Sequence, residues 1–165
     1  MSGDLEVRPA TAADVAALRA LGVRTWQATY AGVLPAADVA NGIAELFNEY
    51  SVGAAVRSGR MLVAVDAGKL VGLLESDRPA PARAVIWKVY VAPEAQREGV
   101  GRALVDRYLA TVDAGEVGVE HDERNAAAAA FFARLGFTVD AVEEADGVRT
   151  ARRVWRRGLS RDARR

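Results

Sequence analysis

The stretch that decides the fold reads Ala-Val-Ile-Trp-Lys-Val-Tyr-Val over residues 84–91 and Ala-Pro-Glu-Ala-Gln-Arg-Glu-Gly-Val-Gly over residues 92–101. Its first half is rich in β-branched and aromatic residues, which predicts a strand. Apolar residues at helical spacing follow it, so the strand leads through a glycine-containing loop into a helix. The first turn of a helix has unpaired N–H groups and a partial positive charge, and the two glycines let a ligand approach the backbone closely. The loop is therefore predicted to bind an anion.

Two common phosphate-binding motifs differ from this loop. A P-loop requires Gly-Lys followed by serine or threonine, whereas Gly101 is followed by Arg102 and Ala103. The dinucleotide fingerprint places glycine or alanine three residues after its second glycine, where this sequence has Leu104. The sequence therefore excludes both motifs.

The first part of the chain is predicted to contain a strand and two helices. Thr11 and Asp14 form a capping-box pattern at the start of the first helix, whose apolar positions continue to Gly22. A loop or short helix with exposed aromatic residues is expected over residues 26–34, and Pro35 opens the second helix.

The order of elements over the whole chain is β-α-α-β-β-β-α-β-α-β-β. This order predicts an α/β fold with a mixed six- to seven-stranded sheet and helices on both faces. We expect one domain over residues 1–158 and a disordered basic tail over residues 159–165. The predicted strands are 5–8, 61–65, 70–74, 84–91, 117–121, 137–142 and 148–155, with a turn at Asp146-Gly147 between the last two; the later helices begin near residues 101 and 125.

Composition excludes several classes of protein. The chain has 165 residues, of which 51% are hydrophobic, so a folded core is expected. Its formal net charge is zero, which gives no electrostatic reason to expect a nucleic-acid or membrane partner. It contains no cysteine, so disulfides, Cys-ligated zinc and a thiol nucleophile are excluded, and no metal is expected. No apolar run approaches the roughly 18 residues of a membrane span and no signal-peptide pattern is visible, so we expect a cytoplasmic protein.

The end of the sequence is rich in arginine. From Arg149 onward there are eight arginines and one acidic residue, Asp162. A solvated last strand with a basic tail explains this distribution, and a site for an acidic partner is the alternative.

Three segments of the sequence together resemble the GNAT superfamily of acetyl-CoA-dependent N-acetyltransferases. The strand end Val-Tyr-Val-Ala-Pro (89–93) and the loop Gln-Arg-Glu-Gly-Val-Gly (96–101) are similar to the strand and the Gln/Arg-x-x-Gly-x-Gly/Ala loop of that family. Residues 125–137 are similar to its second signature, Asn-x-x-Ala-x-x-Phe-Tyr-x-x-Leu-Gly-Phe, and residues 7–14 resemble its first strand and helix start. The resemblance covers nearly the whole chain and implies a GNAT-like domain.

This resemblance implies transfer of an acetyl group from acetyl-CoA directly to a primary amine of a small molecule or peptide, without a metal. Backbone groups of Val89 and Val91 would pair with the pantetheine arm as if it were an extra strand, and the amides of residues 97–103 would hold the pyrophosphate. Asn125 would contact the pantetheine or phosphate region and Phe132 would lie beside the thioester sulfur, although an N-cap and core packing also explain these two residues. The implied coenzyme A-binding residues are Val89, Tyr90, Val91, Arg97, Glu98, Gly99, Val100, Gly101, Arg102, Ala103, Asn125 and Phe132.

The residues that move protons are not evident from this resemblance. Amine acetylation requires a base for the ammonium and a proton for the departing thiolate. The family's usual tyrosine acid is replaced by Phe132, and its usual glutamate base would lie near Val85, where no carboxylate is present. The predicted bases are Glu75 and His121, with Glu120 and Asp122 as alternatives. The predicted acid is Tyr30, with Tyr90, water or unassisted departure of the thiolate as alternatives.

The acceptor pocket is implied to lie near the irregular segment, so Trp26 and Tyr30 are predicted substrate-binding residues. Glu45 and Glu49 lie one helical turn apart and could attract a cationic amine, although a solvated helix face also explains them. Because the usual acid and base are missing, the alternative function is a catalytically silent acyl-CoA-binding module or sensor. A homodimer formed through the final hairpin is also predicted.

Overall fold

The computed structural model describes residues 5–145 and 147–158 and shows an α/β fold with a mixed seven-stranded sheet, as predicted. Within these residues, none of the helices combines the length and apolar character needed to cross a membrane. The α-helices are α1 (Val15–Tyr30), α2 (Ala36–Leu46), α3 (Glu49–Arg57), α4 (Val100–Thr111) and α5 (Ala126–Arg134). The strands are β1 (Glu6–Pro9), β2 (Met61–Asp66), β3 (Lys69–Ala80), β4 (Arg83–Val91), β5 (Glu116–Asp122), β6 (Thr138–Ala145) and β7 (Val148–Arg156).

The strands are hydrogen-bonded in the order β1-β2-β3-β4-β5-β7-β6. β4 and β5 are parallel and are connected through α4, the kind of crossover that a parallel pair needs. The pairs β1–β2, β2–β3, β5–β7 and β6–β7 are antiparallel. The described chain divides into two compact units, with residues 5–75 and 88–110 in unit 1 and residues 76–87 and 111–158 in unit 2.

In unit 1, helix α1 is longer than the sequence predicts. Thr11 and Asp14 form the predicted capping box, but α1 continues through Gly22 to Tyr30. Gly22 is accommodated because the ring of Phe47 fills the space beside it, where an added Cβ would lie 2.1 Å from the ring. Of the loop or short helix predicted over residues 26–34, residues 26–30 are helical as part of α1, and the predicted exposure of the aromatic residues is wrong, since Trp26 and Tyr30 are only partly exposed.

A second difference in unit 1 is the separate helix α3. Helix α2 begins after Pro35 as predicted and ends at Leu46. Asn48 then caps α3, because its Oδ1 accepts a hydrogen bond from Ser51 N over 2.8 Å. Apolar residues continue through this connection, so periodicity alone does not show that an asparagine side chain restarts the helix.

Unit 2 places β5 between β4 and β7. Ala84 and Ile86 of β4 lie opposite Val117 and Val119 of β5, and all four are buried. Helix α5 has Asn125 as its N-cap and is followed by Gly136 at φ 90°, as predicted. The predicted hairpin of β6 and β7 is present, whereas Asp146 and the predicted tail over residues 159–165 lie outside the described residues.

Candidate functional site

The loop between β4 and α4, in unit 1, has the backbone geometry of an anion site. Arg97 (φ 65°) and Gly99 (φ 85°) are in the left-handed region, whereas Glu98 between them is not. Such alternation turns successive N–H groups toward one concave side. A non-glycine residue in this region is uncommon, and strain of this kind concentrates at functional sites.

Helix α4 begins directly after this loop. Ala103 N donates to Gly99 O over 2.9 Å, so the first N–H groups of the helix lie next to the loop. Val100 is only 3% exposed. Its side chain and that of Leu104 pack against Gly72 of β3, where an added Cβ would lie 2.9 Å from Val100. The loop is therefore anchored by an apolar contact while Arg97, Glu98 and Gly99 are exposed.

The second half of β4 lies outside its parallel ladder. The register with β5 runs from Arg83–Glu116 to Ile86–Val119. Beyond Val91, the strand is held by a hydrogen bond from Ala92 N to Val71 O over 2.8 Å. The backbone of Val89 and Val91, predicted to bind pantetheine, therefore lies beyond the described β4–β5 register.

Aromatic side chains form a connected cluster in unit 1. The centroid of the Trp26 ring lies 4.4 Å from that of Tyr30 and 6.2 Å from that of Phe47. The centroid of the Phe47 ring in turn lies 5.8 Å from that of Tyr90 of β4. Trp26 also packs on Gly42 of α2, where an added Cβ would lie 2.6 Å from the indole. The structure thus brings the predicted acceptor residues Trp26 and Tyr30 together with Tyr90.

Glu75, a predicted base, lies on β3 at the edge of this cluster. Glu75 as a whole is 9% exposed. Lys88 Nζ donates to Glu75 Oε2 over 2.5 Å, and Arg60 Nη1 lies 4.0 Å from Oε1. Glu75 therefore occurs as a largely buried carboxylate with a hydrogen-bonded cation beside it.

Tyr90 can hold a proton at neutral pH. Burial raises the pKa of the Tyr90 phenol, and the nearby Tyr30 and Glu75 raise that pKa further. A phenol in this state acts as a hydrogen-bond donor or proton donor rather than as a base.

His121 lies on β5, in unit 2, between two hydrogen-bonding partners. Arg153 Nε donates to His121 Nε2 over 3.0 Å, and His121 Nδ1 lies 2.9 Å from Asp122 O. This arrangement corresponds to the neutral tautomer with the proton on Nδ1. The lone pair that would accept a substrate proton is already engaged by a guanidinium.

The other predicted bases of unit 2 differ in their partners. Arg124 donates to Asp122 from its backbone and side chain. These hydrogen bonds, chiefly that from the side chain, lower the pKa of Asp122 to about 2, which makes it a weak base at neutral pH. Glu120 is exposed on β5.

Asn125 and Phe132 already have structural contacts in unit 2. Asn125 Oδ1 accepts a hydrogen bond from Ala128 N over 3.0 Å and caps α5. Phe132 is 6% exposed. Its ring lies 5.0 Å from Phe131 and 5.3 Å from Phe137, in edge-to-face arrangements. The N-cap role stated as the alternative for Asn125 and the core packing stated as the alternative for Phe132 are therefore both present.

Two residues in or beside the aromatic cluster of unit 1, Phe47 and Lys88, were not predicted to be functional. Lys88 contacts Glu75, and Phe47 connects Trp26 to Tyr90. A lysine inside an otherwise apolar strand was the available signal for Lys88. Phe47 gave no comparable signal, because an apolar residue at helical spacing is normally part of a core.

The arginines of β7 and of the residue after it are paired within unit 2. Arg152 Nη2 lies 2.5 Å from Asp140 Oδ2, and Arg149 Nε lies 3.1 Å from Glu123 Oε2. Arg157 Nη2 donates to Val112 O over 2.5 Å. These contacts agree with a solvated last strand. Among residues 5–145 and 147–158 no group of three or more histidine or acidic side chains is placed to hold a metal ion.

Comparison with known structures shows the same fold in several acetyltransferases. The PaiA N-acetyltransferase of Thermoplasma acidophilum, in complex with coenzyme A, is 18% identical, with a TM-score of 0.81 over 92% of this chain and 99% of that chain. A GCN5-related N-acetyltransferase of Rhodopseudomonas palustris is 20% identical, with a TM-score of 0.76 over 94% and 98%. The ribosomal-protein-S18-alanine N-acetyltransferase of Escherichia coli is 18% identical, with a TM-score of 0.70 over 92% and 93%.

Sequence comparison assigns the family. No curated protein sequence matches the chain. The family model of the acetyltransferase (GNAT) domain matches residues 57–139, half of the chain, which include β4, the loop, α4 and the Asn125 segment. The chain therefore belongs to the GNAT acetyltransferase family, whose members are acyltransferases.

Proposed function

We propose that this protein transfers an acetyl group from acetyl-CoA directly to a primary amine of a small molecule or peptide. The observation that carries the proposal is the continuous unit of β4, the left-handed turns at Arg97 and Gly99, and the start of α4. A pyrophosphate bound to these N–H groups gains several charge-assisted hydrogen bonds, each worth about 1.5–3 kcal/mol.

The acyl donor is proposed to lie along β4. Backbone groups of Val89 and Val91 would pair with the amides of the pantetheine arm as an added strand does. The amides of residues 97–102 would hold the pyrophosphate, whereas the predicted Ala103 amide already donates to Gly99 O at the start of α4. The coenzyme A present in the Thermoplasma acidophilum structure supports this choice of ligand, because that protein shares the fold over 92% of this chain.

The acceptor is proposed to bind at the aromatic cluster of unit 1. Trp26 and Tyr30 supply flat apolar surface there, and Glu75 supplies a carboxylate paired with Lys88 at the edge of the cluster. The buried Nε1 of Trp26 has no hydrogen-bond partner among the described residues. The Escherichia coli protein of the same fold is an alanine N-acetyltransferase by name, which agrees with an amine acceptor.

Proton transfer is proposed to involve Glu75 or His121 as the base. The two lie in different units and differ in availability, because the lone pair of His121 accepts a hydrogen bond from Arg153 whereas the Glu75 carboxylate has further lone pairs. Glu75→Gln and His121→Ala separate them, because loss of the base lowers turnover about 10²-fold or more. Unchanged kinetics remove the residue concerned from the mechanism.

A binding experiment tests the donor assignment first. Saturating acetyl-CoA is expected to raise the thermal unfolding midpoint, because a ligand that binds the folded state stabilises it. Desulfo-coenzyme A serves as a control for pyrophosphate binding without the thioester. Absence of any shift with either compound would contradict the proposal.

A catalytically silent acyl-CoA-binding module is the second candidate. It is favoured by Phe132, whose ring has no proton to give where the family's tyrosine acid would stand. Coenzyme A release, measured with a panel of amines and amino-terminal peptides, separates the two functions. A module binds acetyl-CoA without turnover, whereas the proposed enzyme releases coenzyme A in the presence of at least one amine class.

The homodimer predicted from the sequence remains a proposal. β6 stands at the end of the strand order, and Val139 and Val142 on it are 53% and 42% exposed. Light scattering after size-exclusion chromatography measures the mass directly. A monomer at all accessible concentrations would contradict this proposal, and no nucleic-acid partner is proposed.

A further inference from the structure

The Glu75–Lys88 pair is a charged contact in an apolar part of unit 1. Glu75 on β3 has 12% of its side chain exposed, and Lys88 on β4 has 14%. The surrounding apolar side chains include Leu18, Phe47 and Leu73. An ionised carboxylate in such surroundings needs a partner, because removal of an unpaired charge from water is strongly unfavourable.

Lys88 is held in place from a second side. Its Nζ lies 5.4 Å from the centroid of the Phe47 ring, in a cation–π arrangement. Phe47 is itself 3% exposed, and Arg19 Nε donates to its carbonyl oxygen over 3.0 Å. Because the ring is fixed, the ammonium is a preorganised counter-ion for Glu75 rather than a mobile surface lysine.

Other charged and titratable groups surround the pair but make weaker contacts with Glu75. Arg60 Nη1 lies 4.0 Å from Oε1, beyond hydrogen-bond distance. Tyr90 is close enough for the Glu75 charge to affect its pKa. On α1, Tyr30 raises the pKa of Tyr90 together with Glu75, while Arg19 donates to the Phe47 carbonyl oxygen and lies 3.8 Å from Glu49 of α3.

We infer that Lys88 is a positioning residue that holds the buried Glu75 as an anion, ready to take the proton that the acceptor amine must lose. The inference rests on the proposed function. It adds a role for Lys88, which stands at no signature position of the family resemblance. The lysine places an opposite charge at hydrogen-bond distance from the buried carboxylate.

The proton and electron balance of the step is complete. The acceptor ammonium gives one proton to Glu75, and the free amine attacks the thioester carbonyl to form the C–N bond. The C–S bond then breaks with its electron pair on sulfur, and the second nitrogen proton ends on this thiolate. Glu75 releases its proton to water, which regenerates the carboxylate.

The test compares pH–rate profiles of kcat/KM for wild type, Lys88→Met, Lys88→Gln, Lys88→Arg and Glu75→Gln. Lys69→Met is the matched control, because Lys69 is the other lysine of the sequence and is exposed beside the β2–β3 turn. Lys88→Gln keeps a hydrogen-bond donor without the charge and covers the case in which Lys88→Met fails to fold. A carbon-13 titration of the Glu75 carboxyl is recorded in parallel and requires no turnover.

Without the lysine, a buried carboxyl group favours its neutral form, so a higher pH is needed to ionise it. The acid limb is the fall of kcat/KM at low pH, where the base becomes protonated. We expect this limb to lie about one to three pH units higher in Lys88→Met and Lys88→Gln than in wild type. Lys88→Arg is expected to restore the wild-type limb, Lys69→Met to leave it unchanged, and Glu75→Gln to remove it with a loss of about 10²-fold in rate.

Two results would overturn the inference. One is an acid limb that stays at the same pH in the neutral Lys88 variants, and the other is a Glu75→Gln variant with the rate and limb of wild type. Failure of wild type to release coenzyme A with any amine would instead count against the proposed function. In that case the carboxyl titration decides the pairing, and an equal titration pH in wild type and Lys88→Gln rejects it.

Discussion

The loop over residues 96–101 and the segment over residues 125–137 both match family signatures, but they differ in what remains available to a ligand. In the loop, positive φ angles at Arg97 and Gly99 shape the backbone, and Arg97, Glu98 and Gly99 are exposed. In the segment, Asn125 caps α5 and the Phe132 ring packs against two other phenylalanines. One signature is a backbone conformation and the other is a set of side chains already in contact.

This difference separates binding from stability. N–H groups at a helix start are unpaired within the helix, so a ligand can use them without breaking protein contacts. Side chains that cap a helix or fill a core contribute to folding whether or not a ligand is present. We therefore expect changes in the loop to affect acetyl-CoA binding first and changes in the segment to affect unfolding first.

The largest expected effect is on the stability of unit 2. Phe132→Ala is expected to lower the free energy of unfolding by about 3–5 kcal/mol, because it removes a buried ring from between its neighbours. Denaturant unfolding followed by circular dichroism measures the change. Phe131→Ala is the matched control and should cost less, since Phe131 is only partly buried. Equal losses of unfolding free energy in the two variants would contradict the structural role assigned to Phe132.

The next effect is on ligand binding by the loop. Gly99→Val is expected to raise the dissociation constant of acetyl-CoA about 100-fold, because a β-branched residue is strained at φ 85° and displaces N–H groups worth about 1.5–3 kcal/mol each. Gly68→Val is the control, since Gly68 has φ 76° in the β2–β3 turn, with open space around it. Calorimetry should show weaker binding for the first variant alone; similar affinities would contradict the assignment.

Asn125 belongs to both sides of the comparison, because it caps α5 and the family resemblance implies that it also contacts the coenzyme. Asn125→Ala is expected to lower the free energy of unfolding by about 1 kcal/mol, whereas Asn125→Ser retains a cap and stays within a few tenths. Both variants should weaken acetyl-CoA binding about 3- to 10-fold if the amide contacts the ligand. Unaltered binding by both would leave Asn125 with the capping role alone.

The smallest effect concerns the turn that precedes Asn125. The pKa of Asp122 lies at about 2 in the folded protein, against 3.8 without its partners, because Arg124 donates hydrogen bonds to it. The stability from this contact is present above pH 3.8 and is lost as the pH falls toward 2. Unfolding midpoints of wild type and Asp122→Asn should therefore converge over that range. A constant difference between them would show that the hydrogen bonds to Arg124 are not responsible.

Much of the fold was predictable because its signals are local. Strand β4, the β2–β3 hairpin, the capping box of Thr11 and Asp14 and the cap at Asn125 all depend on neighbouring residues. The extension of α1 to Tyr30 was not predictable, because the ring that covers Gly22 comes from Phe47, 25 positions along the chain. The same ring gives the aromatic cluster its centre.

The sequence by itself determined the family and the backbone site, since a glycine-containing turn into a helix exposes N–H groups wherever it occurs. Only the tertiary structure decided the state of the side chains proposed for catalysis. Glu75 received a lysine partner from β4 and His121 an arginine partner from β7, and neither pairing is encoded in local spacing. Partners brought together by strand pairing set the charge and the free lone pairs of such groups, and so determine which of them can accept a proton.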